Sequence, residues 1–173
     1  HLSGDDLLAL LAQPVLEKNP GTHVVYDIKS SSRLTRMIRS YNGFGHFTAC
    51  GHTSIQDAMQ KHNALIGGEV SGHLFFQDRY FGFDDGIYAA LRVLELAQIS
   101  TTPLQERFAH LPIAYASPEK RITCKNKQAI VALAHKRAQT IPDAHIITTD
   151  GFRIELPHGW ILIRAAHTEP ALS

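Results

Sequence analysis

Little in this sequence points to a covalent or metallic framework. Its two cysteines, Cys50 and Cys124, are too few and too far apart for a disulfide scaffold or a cysteine-rich zinc site. That is the cysteine usage of a cytosolic protein. Eleven histidines occur, yet none falls in an H-E-x-x-H or Cys/His ligand spacing, so no metal ligand is assigned and most are expected on the surface or in the core. An excess of one charge is missing too. Seventeen basic against sixteen acidic residues leave a net charge of +1, which gives no case for nucleic acid; a small anion needs only a local basic pocket. No apolar run approaches the roughly 18 residues of a membrane span, and no signal-peptide pattern, internal repeat or low-complexity tract is seen.

What is present describes a globular protein: 44% hydrophobic and 19% charged residues over 173 positions, enough for one substantial core or two small ones. Ser3-Gly4-Asp5-Asp6 starts a helix, because short acceptors satisfy its free amides and acidic groups suit the positive end of its dipole. Asn19-Pro20-Gly21 ends it. Apolar runs predict strands over 23–28, 44–50 and 65–69, alternating with helices over about 33–41 and 53–61; Thr53 and Gln56 form a capping-box pattern. Leu74-Phe75-Phe76 is expected to pack in the core, and Asp84 or Asp85 to cap a helix whose spacing of Ile87, Leu91, Leu94 and Glu95 is amphipathic.

Ser100-Thr101-Thr102-Pro103 is a linker signal, and the pattern changes after Pro112. A short strand over 122–124, a helix over 125–139 and strands at 146–147, 152–156 and 160–164 follow. The expected fold class is therefore a three-layer α/β/α sheet domain, residues 1–114, followed by a smaller α+β domain with an antiparallel sheet, residues 115–173. No terminal element is expected at 171–173. The start at a histidine and the stop at Ser173 lead to the expectation of a piece of a larger protein.

The chemistry concentrates in Gly68–Tyr88, GEVSGHLFFQDRYFGFDDGIY. Gly68 and Gly72 permit a tight path that lets Glu69, Ser71 and His73 converge, a set suited to a polyhydroxylated ligand; Glu-x-Ser-x-His is equally the pattern of an exposed edge strand. The spacing does not match a serine-hydrolase elbow. Lys29 stands past the end of a strand, where open α/β sheets gather ligands, and a solvated lysine is the alternative. Arg164 also leaves a strand, entering a polar loop with His167 and Thr168; a guanidinium there can grip a phosphate, or simply be solvated.

GEVSGH with FGFDDGIYAALRVLE resembles the sugar-binding loop and following helix of the α-D-phosphohexomutases, in their phosphomannomutase/phosphoglucomutase branch. YDIKSSSRL, Gly51-His52-Thr53 and the closing GWILIRAAHTEP resemble further segments of that family, in consistent order. The resemblance implies that residues 1–114 are most of its third domain, which binds the sugar, and 115–173 most of its fourth, which binds phosphate. It implies Glu69 and Ser71 on sugar hydroxyls, Lys29 and His52 near the substrate, His73 in proton transfer, and Arg164, His167 and Thr168 on the distal phosphate. It implies an isomerase that interconverts hexose 1- and 6-phosphates, of mannose or glucose, through a bisphosphorylated sugar. Missing first and second domains of the same protein are the implied partners. They would supply the phosphoserine and an acidic Asp-Gly-Asp-Gly-Asp-Arg loop for Mg2+, so this piece alone is expected to be inactive. Four positions depart from type: Ser32 and Ala49 stand where basic residues are usual, and Ala166 and His167 where a serine and an asparagine or glycine are. The hydroxyl donor lost at Ala166 removes a contact worth about 1.5–3 kcal/mol to a charged partner. These departures keep open a non-catalytic sugar-phosphate-binding remnant or interaction module, and a phosphoglucosamine mutase is a further alternative.

Overall fold

A computed structural model describes residues 2–166 and 169–173. The chain divides into two compact units, His1–Ala114 and Tyr115–Ser173.

The first unit is built on a four-stranded sheet of order β2-β1-β3-β4, from β1 (His23–Asp27), β2 (Phe44–Thr48), β3 (Ile66–Gly68) and β4 (Leu74–Phe76). The first three strands run parallel, and β4 returns antiparallel to β3. Helices α1 (Gly4–Lys18), α2 (Ser32–Ser40), α3 (His52–His62), α4 (Gly86–Ile99) and α5 (Leu104–Ala109) surround it. Because side chains alternate along a strand, β1 and β4 feed two cores. Val24, Tyr26, Ile66, Leu74 and Phe76 pack with Leu8, Leu11 and Leu16 of α1, Leu34 and Ile38 of α2 and Leu96 of α4. Val25 and Phe75 point the other way, onto Ile55 and Met59 of α3. That is why Val24, Val25 and Tyr26 of β1 and Leu74–Phe76 of β4 are continuous apolar runs, and it makes the three α/β/α layers.

Two helix starts are capped by their own side chains. Ser3 caps α1 by accepting from the Asp6 amide, and Asp85 caps α4 by accepting from the amides of Ile87 and Tyr88. The capping box expected at Thr53 and Gln56 does not form. Gly51, at φ +117°, is the cap residue of α3, and Gln56 Nε2 donates instead to the Gly82 carbonyl at 3.3 Å.

The spacing of Ile87, Leu91 and Leu94 finds the helix but not its buried face. These three are 79%, 57% and 64% exposed, while Ala89, Arg92 and Leu96 are buried. The reason is Arg92. Its guanidinium donates to both carboxylate oxygens of Asp78, at 2.8 and 3.0 Å, and lies 4.7 Å over the Phe76 ring, an arrangement that only the inward face permits.

In the second unit β6 (His145–Ile147), β7 (Phe152–Leu156) and β8 (Gly159–Ile163) form an antiparallel meander. Helix α6 (Lys127–Ala138) covers one face through Val131, Ala134 and Ala138 against Phe152 and Ile154. Arg153 alternates to the other face, fully buried, 3.8 Å from the Trp160 ring and bonded to Glu155 at 2.6 Å. The chain end does carry an element, contrary to expectation. β9 (Ala171–Leu172) pairs with β5 (Ile122–Thr123), which gives its backbone groups partners that a free end would lack. Among the described residues no helix is long and apolar enough to cross a membrane.

Candidate functional site

The loops that leave the carboxyl ends of β1, β2 and β3 meet at one edge of the first unit, where an open α/β sheet gathers its ligands. Asp27, the last residue of β1 and 2% exposed, knots them. Its carboxylate accepts from the Ser30 hydroxyl at 2.8 Å, the Val70 amide at 3.3 Å and the Cys50 thiol at 3.8 Å. Asp5 at the start of α1 adds a second tie, accepting from the Ser31 amide at 2.8 Å and the Ser3 hydroxyl at 2.6 Å.

Glu69 is part of the same knot. Only 5% exposed, its Oε1 accepts from the Gly51 amide at 2.7 Å, joining the β3 loop to the start of α3. The loop itself is a tight hairpin closed by the Glu69 amide on the His73 carbonyl and the Gly72 amide on the Glu69 carbonyl, both at 2.9 Å. Gly72, at φ +101°, makes the reversal. Gly4 lets α1 press against it. A Cβ there would stand 2.2 Å from the Glu69 carbonyl oxygen and 2.5 Å from the Gly72 nitrogen.

The convergence expected of Glu69, Ser71 and His73 is only partly formed. Glu69 is held inward by Gly51, Ser71 is exposed, and His73 turns to Asp84, with Nδ1 2.6 Å from Oδ2. Lys29 is half-buried just past β1, and His52 is exposed on the first turn of α3. In the second unit Arg164 is 8% exposed and ion-paired with Asp150 at 2.9 Å, rather than solvated. His167 and Thr168 lie outside the described residues. Two concavities of about 340 and 370 Å³ in the first unit are lined by none of the expected ligand residues. The sugar-site candidate is an open loop edge.

Sequence reasoning missed Asp27, Asp5 and Cys50. The strand-end rule that singled out Lys29 applies equally to Asp27, two residues earlier.

Burial pushes the Asp27 carboxyl above its ordinary value of 3.8, and the Glu69 and Asp5 carboxylates push the same way, against the lowering by Ser30 and Val70. Folded protein therefore holds this proton more tightly than unfolded chain. The stability it contributes is complete below the unfolded value and is lost as pH rises through the native one. Asp27→Asn, with its oxygen toward Val70 and its amide toward Ser30, lacks that dependence. Urea midpoints of wild type and variant across this range should diverge, wild type losing ground as pH rises; parallel profiles would show that Asp27 titrates normally.

Asp27, Cys50 and Glu69 bring one ligand atom each within 4.8 Å of one another. They do not fit magnesium, which wants an octahedron of oxygens, because one donor is a thiol and both carboxylates are committed to amides or hydroxyls.

An α/β/α unit with an open cluster of polar loops at the carboxyl edge of its sheet defines a class, the sheet domains that hold a polar ligand across strand-end loops. Comparison with known proteins narrows it. Residues 3–115 match the family model "Phosphoglucomutase/phosphomannomutase, alpha/beta/alpha domain III", and the chain belongs to the phosphoglucomutase/phosphomannomutase family. It is 41% identical over 170 residues to a phosphomannomutase/phosphoglucomutase of Pseudomonas syringae pv. tomato, covering 97% of this chain and 36% of that protein. It is 42% identical over 172 residues to a phosphoglucomutase of Neisseria gonorrhoeae, covering 97% and 37%. A crystal structure of a family protein from Burkholderia thailandensis superposes with a TM-score of 0.87 at 32% identity, over 98% of this chain and 36% of that one. The chain thus spans little more than a third of the length of these relatives.

Proposed function

We propose that the chain is the sugar- and phosphate-binding portion of a phosphohexomutase that interconverts hexose 1-phosphate and hexose 6-phosphate through a bisphosphorylated sugar. The observation that carries this reading is the 41% identity extending over 170 residues, through both units, with a protein named for that reaction. Residues 1–114 act as the sugar-binding third domain and 115–173 as the phosphate-binding fourth. Glu69 and Ser71 take sugar hydroxyls, Lys29 and His52 lie beside the substrate, and His73, polarised by Asp84, moves a proton. Arg164 holds the distal phosphate together with His167 and Thr168. Phosphoryl transfer depends on positioning and on neutralising charge. The phosphoserine and the magnesium that do so belong to the remaining domains, in a cytoplasmic enzyme, and the 173 residues alone bind without turnover.

A second reading, a non-catalytic binding remnant, is favoured by Ser32 and Ala49, which leave the loop edge short of positive charge. A coupled assay of the full-length protein with mannose 1-phosphate and glucose 1-phosphate, magnesium and a bisphosphate activator separates the two. Turnover supports the mutase. Binding of the phosphosugars without turnover supports the remnant, and neither binding nor turnover removes both.

A further inference from the structure

At the opposite end of the sheet from the sugar loops, three histidines distant in sequence come together. His23 opens β1, about 13 Å along the strand from Asp27 at 3.3 Å per residue. His46 lies on β2, two residues past the partner of His23, so the period of two places both on the face that α3 covers. His62 is the last residue of α3. His23 Nδ1 stands 2.6 Å from His46 Nε2, the His46 and His62 rings stack at 3.7 Å, and one nitrogen from each of the three lies within 4.8 Å of the others. All three side chains are half-buried.

From this convergence we propose that His23, His46 and His62 form a three-imidazole site for a borderline divalent transition metal such as Zn2+, clamping β1, β2 and α3. Imidazole suits zinc, copper and nickel, and three protein nitrogens with a water in the fourth position complete a tetrahedral zinc site. Binding requires each imidazole to present a free ring-nitrogen lone pair. The hydrogen now shared between His23 Nδ1 and His46 Nε2 moves to the far nitrogen of its own ring, and each imidazole offers the lone pair thus exposed. The stacked rings must fan apart for this, and His62, at the end of its helix, has the freedom to turn. Lys61 is the cation beside the cluster and weakens, without blocking, the approach of a second positive charge. No pattern along the chain announces the site, because the register of β2 on β1 and the length of α3 create it.

The test is a titration of the 173-residue chain, prepared without a histidine tag, with Zn2+ by calorimetry and with Co2+ by visible absorption. The expected result is one equivalent bound, tetrahedral Co2+ bands, and a thermal midpoint that rises with Zn2+. His46→Gln and His62→Gln should each weaken binding by about 100-fold or more, beyond the 10–100-fold typical of losing a group that only supports a ligand. His158→Gln, in the other unit, should bind as wild type. His62→Gln replaces a half-exposed residue at a helix end, so its circular dichroism should match wild type. Binding that is absent, or that survives both cluster variants, overturns the proposal.

Discussion

Phe76→Ala is expected to lower the stability of the first unit by about 3–5 kcal/mol, the range for emptying a buried aromatic site. Phe76 has no exposed surface, meets the Tyr88 ring edge-on at 5.3 Å and lies under the guanidinium of Arg92. Truncation leaves a void and also strips the cover from a charged side chain that is only 6% exposed. Leu91→Ala is the contrast. Although Leu91 belongs to the apolar stripe of α4, it is 57% exposed, and its loss should stay within about 0.5 kcal/mol. Urea unfolding of both variants measures the difference. Equal losses would show that α4 buries its apolar stripe after all.

Glu69→Ala in the full-length protein is expected to lower kcat/KM for mannose 1-phosphate and glucose 1-phosphate by about 100-fold or more, since each hydrogen bond to a charged group contributes about 1.5–3 kcal/mol. Two losses combine. On the proposed reading the sugar loses its carboxylate partner, and the Gly51 amide loses the acceptor that holds the start of α3 to the loop. Glu69→Gln separates them, because an amide oxygen still accepts from Gly51 while the charge is gone. It should restore stability fully and activity only in part. A kcat/KM for Glu69→Ala within threefold of wild type would remove Glu69 from the substrate site.

The loop edge shows why a site is only partly legible in a sequence. The places of Lys29 and His52 at the loop edge are legible because a strand end and a helix start are local features, marked by the residues around them. Glu69 stands out in its glycine-flanked loop, but its pairing with Gly51 crosses 18 residues, and the tie from Asp27 to Val70 crosses 43. Arg164 was singled out from its place at a strand end. Its buried pairing with Asp150 depends on how the turn at Gly151 folds back, with φ +70° and no room for a side chain against Ile163 and Arg164.

By itself the sequence determined where most strands and helices form, because those choices rest on interactions a few residues long; the terminal β9, which needs the distant β5, is the exception. Val24-Val25-Tyr26 and Leu74-Phe75-Phe76 are apolar on both sides of the pleat and so belong to strands buried on both faces. Ser3 and Asp85 start their helices with their own side chains. Only the tertiary structure decided which side of α4 turns inward, that Asp27 ties three loops, and that His23, His46 and His62 meet. Each of these depends on a partner from a distant segment. In α4 the bonds from Arg92 to Asp78 and its place over Phe76 outweigh the burial of a leucine stripe, a balance that the helix's own periodicity does not contain.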